Sequence, residues 1–440
     1  MVHYLIKRIF FGAIALCIGA LVFAQTPYNV VMNIYGDPTT QMAFNWFTDE
    51  GVVGGEVIIM KDAQVVQRVK AITFKYPGHT VNKAVVKNLE PGTIYSFKVG
   101  KENAWSDEGT FTTAKRDKTP FSFIYTTDQQ PNFPELQEIL QTNSSAVFSK
   151  HAVDFWIDCG DLVHHGGELN LWNTLFNAHQ DKFLKTPFAP VQGNHDAKGK
   201  MQFGRHFNTE KFGVADKSGS TYTYIYGDAQ FFAINGEKCN NAVYIGKVKK
   251  WMKAQIKANP ALKWRMVYFH KNVYTGAKDE QNSKLCAVWF KAITPLFDEL
   301  NIDIVFQGHS HVYDVIGPVK KIQLISESVS NVKQNQELIN FPKNVNGNSG
   351  GIFNVKEGTL YFTNGTFGNA FFNPLPLEKM PGKRFPFIPH YASLITGKLA
   401  QAGNPTYSHI SVSTESVVIT TYEIVNGNSV LFDEISIIKN

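Results

Sequence analysis

Short hydrophobic runs, separated by segments of helical periodicity, constrain the fold of residues 121–306 more than any other feature of the sequence. The runs cover residues 121–125, 153–157, 188–191, 230–234, 265–269 and 302–306. Between them, Leu171, Trp172 and Leu175 follow a helical repeat. Buried strands that alternate with helices are typical of an α/β domain built on central sheet.

A different pattern comes before this region. Short alternating strands with turn residues between them are predicted at residues 29–35, 41–47, 57–61, 83–88 and 94–99. No segment with helical periodicity interrupts them, and a charged stretch at 115–118 separates them from the first hydrophobic run. We therefore predict an all-β sandwich domain at residues 25–116, followed by an α/β domain with layered central β-sheets at residues 117–440. The strands of the tail, residues 407–438, would complete a sheet of the second domain.

The N-terminus has the pattern of an export signal. Lys7 and Arg8 precede an apolar run at residues 9–23, and Val22 and Ala24 are acceptable to a signal peptidase. We predict a signal peptide at residues 1–24, a mature chain beginning at Gln25, and a secreted, periplasmic or cell-surface protein. The apolar run is shorter than the roughly 20 residues of a membrane helix, so no stable membrane insertion is expected.

The composition predicts a globular protein with a large core, because 43% of the residues are hydrophobic and only 18% are charged. Loss of the signal peptide lowers the formal charge from +6 to +4, which is too mild to indicate a nucleic-acid partner. Cys159 lies in an apolar run and is interpreted as a packing residue. Cys239 and Cys286 could form a disulfide, but their spacing alone does not decide it. The sequence leaves the oligomeric state open.

Five of the hydrophobic runs lead into polar residues of one chemical kind, at the strand ends where open α/β sheets build their sites. These residues are Asp128, Asp161, Asn194 with His195 and Asp196, His270, and His309 with His311. Each of them alone is more often a turn, a helix cap or a core residue. Their shared position at strand ends instead favours a functional site.

Two cations a few ångströms apart need oxygen and imidazole ligands, and one group that touches both ions. We assign Asp161 as that bridge. One metal would be held by Asp128, Asp161 and His311. The other would be held by Asp161, Asn194, His270 and His309.

The same residues resemble, in order, the motif set of the calcineurin-like metallophosphoesterases. The segments 45–48 and 91–95 resemble the fibronectin type III-like domain that precedes many purple acid phosphatase catalytic domains, and residues 407–410 also fit that branch. The resemblance implies a metal-dependent phosphatase with two metal ions (Fe, Zn or Mn) and a small phosphorylated substrate. It implies that His195 donates a proton to the leaving group or stabilises the transition state, and that Asp196 orients His195.

The sequence departs from purple acid phosphatases in the first metal site. His164 stands where they carry a tyrosine ligand to ferric iron, three residues after the bridging aspartate. Gln130 stands where many other metallophosphoesterases have a histidine ligand. We expect His164, slightly ahead of Gln130, to complete this site, and the identity of the metal is open.

These observations predict an exported phosphomonoester hydrolase of the acid phosphatase type. A phosphodiesterase or nucleotide hydrolase on the same metal core is the alternative within the enzyme class. The alternative from another class is a non-catalytic surface-binding protein whose sandwich carries the function. The nearly complete ligand set argues against the surface-binding alternative, because a relic enzyme would have lost several ligands.

Overall fold

The structure is a computed structural model that describes residues 26–199, 202–213, 216–275, 277, 284–321, 323–324, 329–330, 351–372, 399–400 and 403–440. The predicted signal peptide and the side chain of Cys286 lie outside the described residues. Within these ranges, none of the helices has the length and apolar character needed to cross a membrane.

The N-terminal part consists of strands. They are β1 (Tyr28–Asn33), β2 (Met42–Thr48), β3 (Glu56–Lys61), β4 (Gln64–Lys70), β5 (Ile72–Tyr76), β6 (His79–Val86), β7 (Ile94–Lys101), β8 (Ala104–Trp105) and β9 (Gly109–Thr112). Five of them overlap the five strands expected from the sequence. Strands β4 and β5 were not expected.

These strands pack as two sheets around one core. Strands β4, β3, β7 and β8 are neighbours in that order, with β9 paired to β7, and β1, β2, β6 and β5 form the other layer. Phe44, Trp46 and Phe97 are fully buried between the layers. This is the sandwich-like arrangement expected from the alternating pattern.

The second part alternates strands and helices and then ends in long strands. Its helices are α1 (Gln137–Lys150), α2 (Leu169–Phe183), α3 (Phe203–His206), α4 (Ala242–Ala258) and α5 (Lys284–Leu300). The strands up to the fifth helix are β10 (Phe121–Thr126), β11 (Phe155–Asp158), β12 (Phe188–Pro190), β13 (Tyr222–Tyr226), β14 (Ala229–Ala233) and β15 (Trp264–Phe269). The later strands are β16 (Ile304–Gln307), β17 (Tyr313–Lys320), β18 (Gln323–Leu324), β19 (Val329–Ser330), β20 (Ile352–Asn354), β21 (Thr359–Asn364), β22 (Leu399–Ala400), β23 (Thr406–Val412), β24 (Ser416–Val425) and β25 (Asn428–Ile438).

Two large sheets form the middle of this part, with helices outside them. Strands β10, β11 and β12 run parallel in one sheet, and β14, β15, β16 and β21 run parallel in the other. Phe123, Phe231 and Phe306 belong to one buried cluster, so the two sheets pack face to face. Helices α1 and α2 contribute to a second cluster on the outer side of the first sheet, and α4 and α5 to a third on the second sheet.

This layering explains why the strands are hydrophobic throughout rather than alternating. In β10, Phe123 and Tyr125 face the space between the sheets, whereas Ile124 packs with the outer helices. Both faces of the strand are therefore buried, which is the condition under which parallel strands lose their polar face.

The first sheet extends into the N-terminal part. Asn33 of β1 pairs with Phe188 of β12, so strands β1, β2, β6 and β5 continue a twelve-stranded sheet. The Asn208 side chain, after α3, donates to the Phe44 and Ala84 carbonyls of the sandwich. The predicted domain boundary at residue 116 falls between β9 and β10, and the division into two domains stays a prediction.

Candidate metal centre

The predicted ligands lie at the ends of neighbouring strands, along one edge of the two sheets. Asp128, Asp161 and Asn194 follow β10, β11 and β12 in the first sheet. His270 follows β15, and His309 follows β16, in the second sheet. Because these strands run parallel within each sheet, their carboxyl ends meet at the same edge.

The backbone at these strand ends is bent into an unusual conformation. Asp128, Asp161, His309 and His311 have φ angles of 56°, 55°, 73° and 53°. Residues other than glycine adopt this left-handed region at a cost, and such residues concentrate at functional sites. The four turns aim their side chains over the strand ends.

Two glycines leave the room that these side chains need. A Cβ atom on Gly193 would lie 2.2 Å from Asp161 Oδ1, and one on Gly308 would lie 2.2 Å from Thr127 Oγ1. Both positions therefore exclude any larger residue, as expected for glycines that precede a site residue.

Three of the predicted ligands converge on a ring nitrogen of a fourth, His270. His270 Nε2 lies 3.0 Å from Asn194 Oδ1, 3.1 Å from Asp161 Oδ2 and 3.2 Å from His309 Nδ1. The other nitrogen of His270, Nδ1, donates to the Cys159 carbonyl at 2.9 Å. In a neutral His270 ring, Nε2 is consequently a lone pair that faces other electron-rich atoms, and a cation is needed between them.

The remaining two ligands form an adjacent group. Asp128 Oδ1 lies 3.1 Å from His311 Nε2, while Oδ2 accepts from the Thr127 hydroxyl and the His309 amide. His311 Nδ1 donates to the Ala370 carbonyl at 2.6 Å, and the His311 ring stacks on Phe372. His270 and His311 are thus both fixed through Nδ1, with Nε2 turned toward the carboxylates, as is usual for metal-binding histidines.

The electrostatics of the site also fit cations. Burial alone would lower the pKa of His270, but the carboxylates of Asp161 and Asp128 raise it to about 10. Burial would raise the pKa of Asp161, but His270 holds it well below its usual value. A proton on His270 therefore neutralises the carboxylates, and a metal ion would take the place of that proton. Asp161, His270 and His309 offer ligand atoms within 4.8 Å of one another, as a shared metal site requires.

His195 lies at the rim of this group. Its amide donates to Asp161 Oδ1 at 2.7 Å, and its ring Nδ1 donates to the His164 carbonyl at 2.6 Å. Nδ1 is thereby occupied by a backbone partner, and Nε2 is the ring nitrogen available for proton transfer. The Lys198 ammonium lies 3.0 Å from the same Nδ1.

Asp196 is buried, and its carboxylate binds backbone groups. Its two oxygens accept from the amides of Val163 and Gly193, at 3.0 and 2.9 Å. The expected orienting contact with the His195 ring is replaced by the contact with the His164 carbonyl. Asp196 therefore shapes the loops on both sides of His195, which is a positioning role.

The two candidates for completing the first site differ in placement. The Gln130 amide donates to Asp161 Oδ2 at 2.7 Å and is buried. His164 is exposed, and its ring centroid lies 4.6 Å from that of His195. The structure thus brings Gln130 to the proposed bridging ligand and His164 to the proposed acid. The predicted ligand role of His164 stays a prediction.

Sequence reasoning missed Lys271. Its side chain is only 5% exposed, and its ammonium lies 3.5 Å from Asn194 Oδ1 and 3.6 Å from the Glu237 carboxylate. The ammonium brings positive charge to a predicted ligand, and the Glu237 carboxylate beside it partly offsets that charge. Its position directly after His270 was the signal in the sequence that could have identified it.

A buried polar network behind the ligands was also missed. The Asp158 carboxylate accepts from Thr126, from the Gln129 amide and from the Gly160 amide, at 2.6, 2.8 and 2.8 Å. Burial raises the pKa of Asp158 to about 6. Gln129 in turn contacts His179 at 2.8 Å. The network ties together the loops that carry Asp128 and Asp161.

Comparison with known proteins is consistent with this site. Residues 121–313 match the family of calcineurin-like phosphoesterases, and residues 27–113 match the N-terminal domain of purple acid phosphatases. An uncharacterized protein of Mycobacterium tuberculosis is 24% identical over 277 residues, covering 54% of this chain and 51% of the relative. Purple acid phosphatase 1 of Ipomoea batatas is 26% identical over 301 residues, covering 60% of this chain and 56% of the relative. The chain thus spans about half the length of the curated relatives it matches.

Solved structures share the fold. A purple acid phosphatase from yellow lupin (Lupinus luteus) seeds superimposes with a TM-score of 0.68 at 14% identity, covering 95% of this chain and 75% of that chain. PhoD superimposes with a TM-score of 0.59 at 9% identity, covering 93% and 90%. The predicted fold class, β-sandwich strands followed by an α/β metallophosphoesterase fold, is confirmed.

Proposed function

We propose that this chain, a calcineurin-like phosphoesterase domain joined to a purple acid phosphatase N-terminal domain, is a metal-dependent hydrolase of phosphate monoesters. The observation that carries the proposal is the convergence of Asp161, Asn194 and His309 on the Nε2 atom of His270, beside the pair formed by Asp128 and His311. Two bound cations would neutralise phosphate oxygens and lower the pKa of the attacking water.

We assign the protein side chains to metal binding, proton transfer and attraction of the substrate. Asp128, Asp161 and His311 would hold one ion, and Asp161, Asn194, His270 and His309 the other. His195 holds one proton at Nδ1 on the His164 carbonyl, so in its imidazolium form it would give the second proton, from Nε2, to the departing alkoxide and be left as the neutral ring. Lys198 and Lys271 add positive charge that favours an anionic substrate.

Hydrolysis of a chromogenic phosphomonoester tests the proposal. Protein stripped of metal with a chelator should be inactive, and addition of Zn, Mn or ferrous iron should restore turnover. A metal-replete protein that hydrolyses neither monoesters nor diesters would instead favour a surface-binding role. Activity on diesters alone would favour the phosphodiesterase alternative.

Lys271 is expected to determine the preference for monoesters over diesters. A phosphomonoester carries one more negative charge than a diester, and the buried ammonium beside Asn194 is placed to bind it. Replacing Lys271 by Met should raise KM for a monoester by about tenfold or more, because a charge-assisted hydrogen bond contributes about 1.5–3 kcal/mol. The kcat/KM for a diester should change much less.

Calorimetric binding of inorganic phosphate gives a second measure of the same contact, since it does not depend on turnover. Lys253→Met is the matched control, because Lys253 forms a surface ion pair with Glu299 on α4 and α5. Equal losses for monoester and diester in Lys271→Met would show a structural role only.

The colour and metal content of the protein are expected to differ from those of true purple acid phosphatases. The purple of that family arises from charge transfer between a tyrosinate and ferric iron, and His164 stands at the matching position. A neutral imidazole supplies less negative charge than tyrosinate, so the first site should favour a divalent ion. We expect a colourless protein, partial loss of metal in His164→Ala, and a shift toward iron and visible absorption in His164→Tyr.

Elemental analysis and a visible spectrum check these outcomes on protein purified without a metal-binding tag. Gln130→Ala is the comparison, because Gln130 contacts Asp161 directly. Metal loss in Gln130→Ala but not in His164→Ala would assign the first site to Gln130. A strong visible band with stoichiometric ferric iron in the native protein would contradict the expectation that the first metal site favours a divalent ion.

We also propose that the protein is exported, on the basis of the N-terminal sequence. The charged pair at residues 7–8, the apolar run at 9–23 and the small residues before Gln25 support cleavage after Ala24. Intact-mass measurement of exported protein should give a chain that begins at Gln25. Exported protein that retains Met1 would contradict this.

A further inference from the structure

A groove distinct from the metal centre lies between the sandwich and the segment that follows α3. Its volume is about 660 Å³, and its lining comes from β4, β5 and β6 on one side and from residues 208–211 on the other. None of the proposed metal ligands lines it. Concave sites of this size at the junction of two structural units are typical of small-molecule binding.

The polar part of the groove lining includes the two lysines Lys83 and Lys211. Lys83 is half-buried, and its ammonium donates to the carbonyls of Gly204, at 2.9 Å, and Phe207. Among the described residues, no ion pair within 4.0 Å involves Lys83. Burial and the charge of Lys211 lower the pKa of Lys83 to about 7.

The two lysines therefore repel each other and gain from an anion. A negative group between Lys83 and Lys211 would relieve the repulsion and offset the desolvation of the Lys83 ammonium. Glu210 also lines the groove, but burial raises its pKa. The lining also includes Lys70, and an anion in the groove would favour the charged form of Lys83 as well as bind Lys70 and Lys211.

The lining from β4 and β5 includes apolar side chains that are partly open to solvent. Ile72 of β5 is 68% exposed, and Val69 and Phe74 are half-buried. Ile72 is the register partner of Lys83 across the β5–β6 pair, so the apolar and the cationic sides adjoin. Single exposed apolar residues are common, but here they line the same concave surface as the lysines.

We propose that this groove binds a small organic anion, with its head group between Lys83 and Lys211 and its apolar part against Ile72 and Phe74. The head group can be a carboxylate, sulfonate or phosphate, because each accepts charge-assisted hydrogen bonds from ammonium groups. Neither an inorganic ion nor an uncharged apolar molecule would use both sides of the groove.

The probe is 8-anilinonaphthalene-1-sulfonate, an apolar anion whose fluorescence rises on leaving water, titrated into the purified protein. We expect one site per chain and a dissociation constant at least about tenfold higher in Ile72→Glu and in Lys83→Met, the scale of one charge-assisted contact. Ile94→Glu is the matched control, since Ile94 on β7 is equally exposed, at 69%, and lies outside the groove.

Three results support the proposal together: weaker binding in Ile72→Glu, unchanged binding in Ile94→Glu, and weaker binding of the uncharged analogue N-phenyl-1-naphthylamine. Equal affinity of the charged and uncharged probes would overturn the assignment of the lysines. Unchanged binding in Ile72→Glu would place the probe elsewhere. Phosphomonoester hydrolysis should be unchanged in Ile72→Glu, so a failure here is distinct from a failure of the proposed enzyme activity.

Discussion

Replacing Asp161 by Ala is expected to remove both metal ions and to bring phosphomonoester hydrolysis to the background rate. Asp161 is 1% exposed and contacts His270, Gln130 and the His195 amide, and the proposed assignment makes it a ligand of both ions. Loss of a residue that merely orients a ligand costs about 10–100-fold in metal affinity or activity. Loss of a ligand shared by both ions should cost more.

The two ligand groups predict a graded series of metal contents. Asp128→Ala removes a ligand of one proposed ion, and Asn194→Ala removes a ligand of the other. Each should lower metal content less than Asp161→Ala, because the other group stays intact. Elemental analysis of the three variants checks this order. If Asp161→Ala keeps as much metal as Asp128→Ala, Asp161 is not shared.

A fold defect must be separated from a ligand defect. Removing Asp161 leaves a buried His270 without its carboxylate partner, and breaking a buried pair costs about 3–5 kcal/mol when the remaining charge stays. Asp161→Asn keeps an acceptor for the His195 amide while removing the charge. Asp303→Ala is the control, because Asp303 is as buried as Asp161 but pairs with Lys439 far from the metal centre. It should lower the melting temperature and leave metal binding intact.

Much of the fold could be predicted from hydrophobic runs, because strands buried on both faces are hydrophobic throughout. Strands β10, β11 and β15 lie within about two residues of their predicted positions. Strands β4 and β5 are the outer strands of their sheets, and none of their residues is buried. The alternation of Ile72, Phe74 and Tyr76 with polar residues in β5 was the signal that could have identified that strand. The division of the strands between two sheets depends on long-range pairing, such as Asn33 with Phe188, that no local pattern encodes.

The candidate site was more predictable than its surroundings. Ligand types and their positions at strand ends are local features, and Asp161, His270 and His309 lie together as expected. The placement of Lys271 beside Asn194 depends on how two loops from different sheets approach each other. The same holds for Asp196, whose carboxylate was expected at the His195 ring and instead binds the Val163 and Gly193 amides.

Replacing His195 by Ala is expected to lower turnover by about a hundredfold or more while the metal content stays unchanged, the usual scale for one proton-transfer group. The His195 ring is not among the atoms that surround His270 Nε2, so its removal opens no ligand position. The loss should depend on the leaving group. An alkyl phosphate needs a proton on its departing oxygen, whereas p-nitrophenolate leaves without one, so the alkyl ester should lose more activity.

His165→Ala is the control for this prediction, because His165 lies on the same loop as His164 and pairs with Glu168 instead of facing His195. It should retain both metal content and turnover. If His195→Ala loses as much activity on the nitrophenyl ester as on the alkyl ester, His195 stabilises charge on the phosphate and does not donate the proton. Loss of metal from His195→Ala, with metal retained in Asn194→Ala, would exchange the roles assigned to these neighbouring residues, because loss of a ligand lowers metal affinity more than loss of a residue beside it.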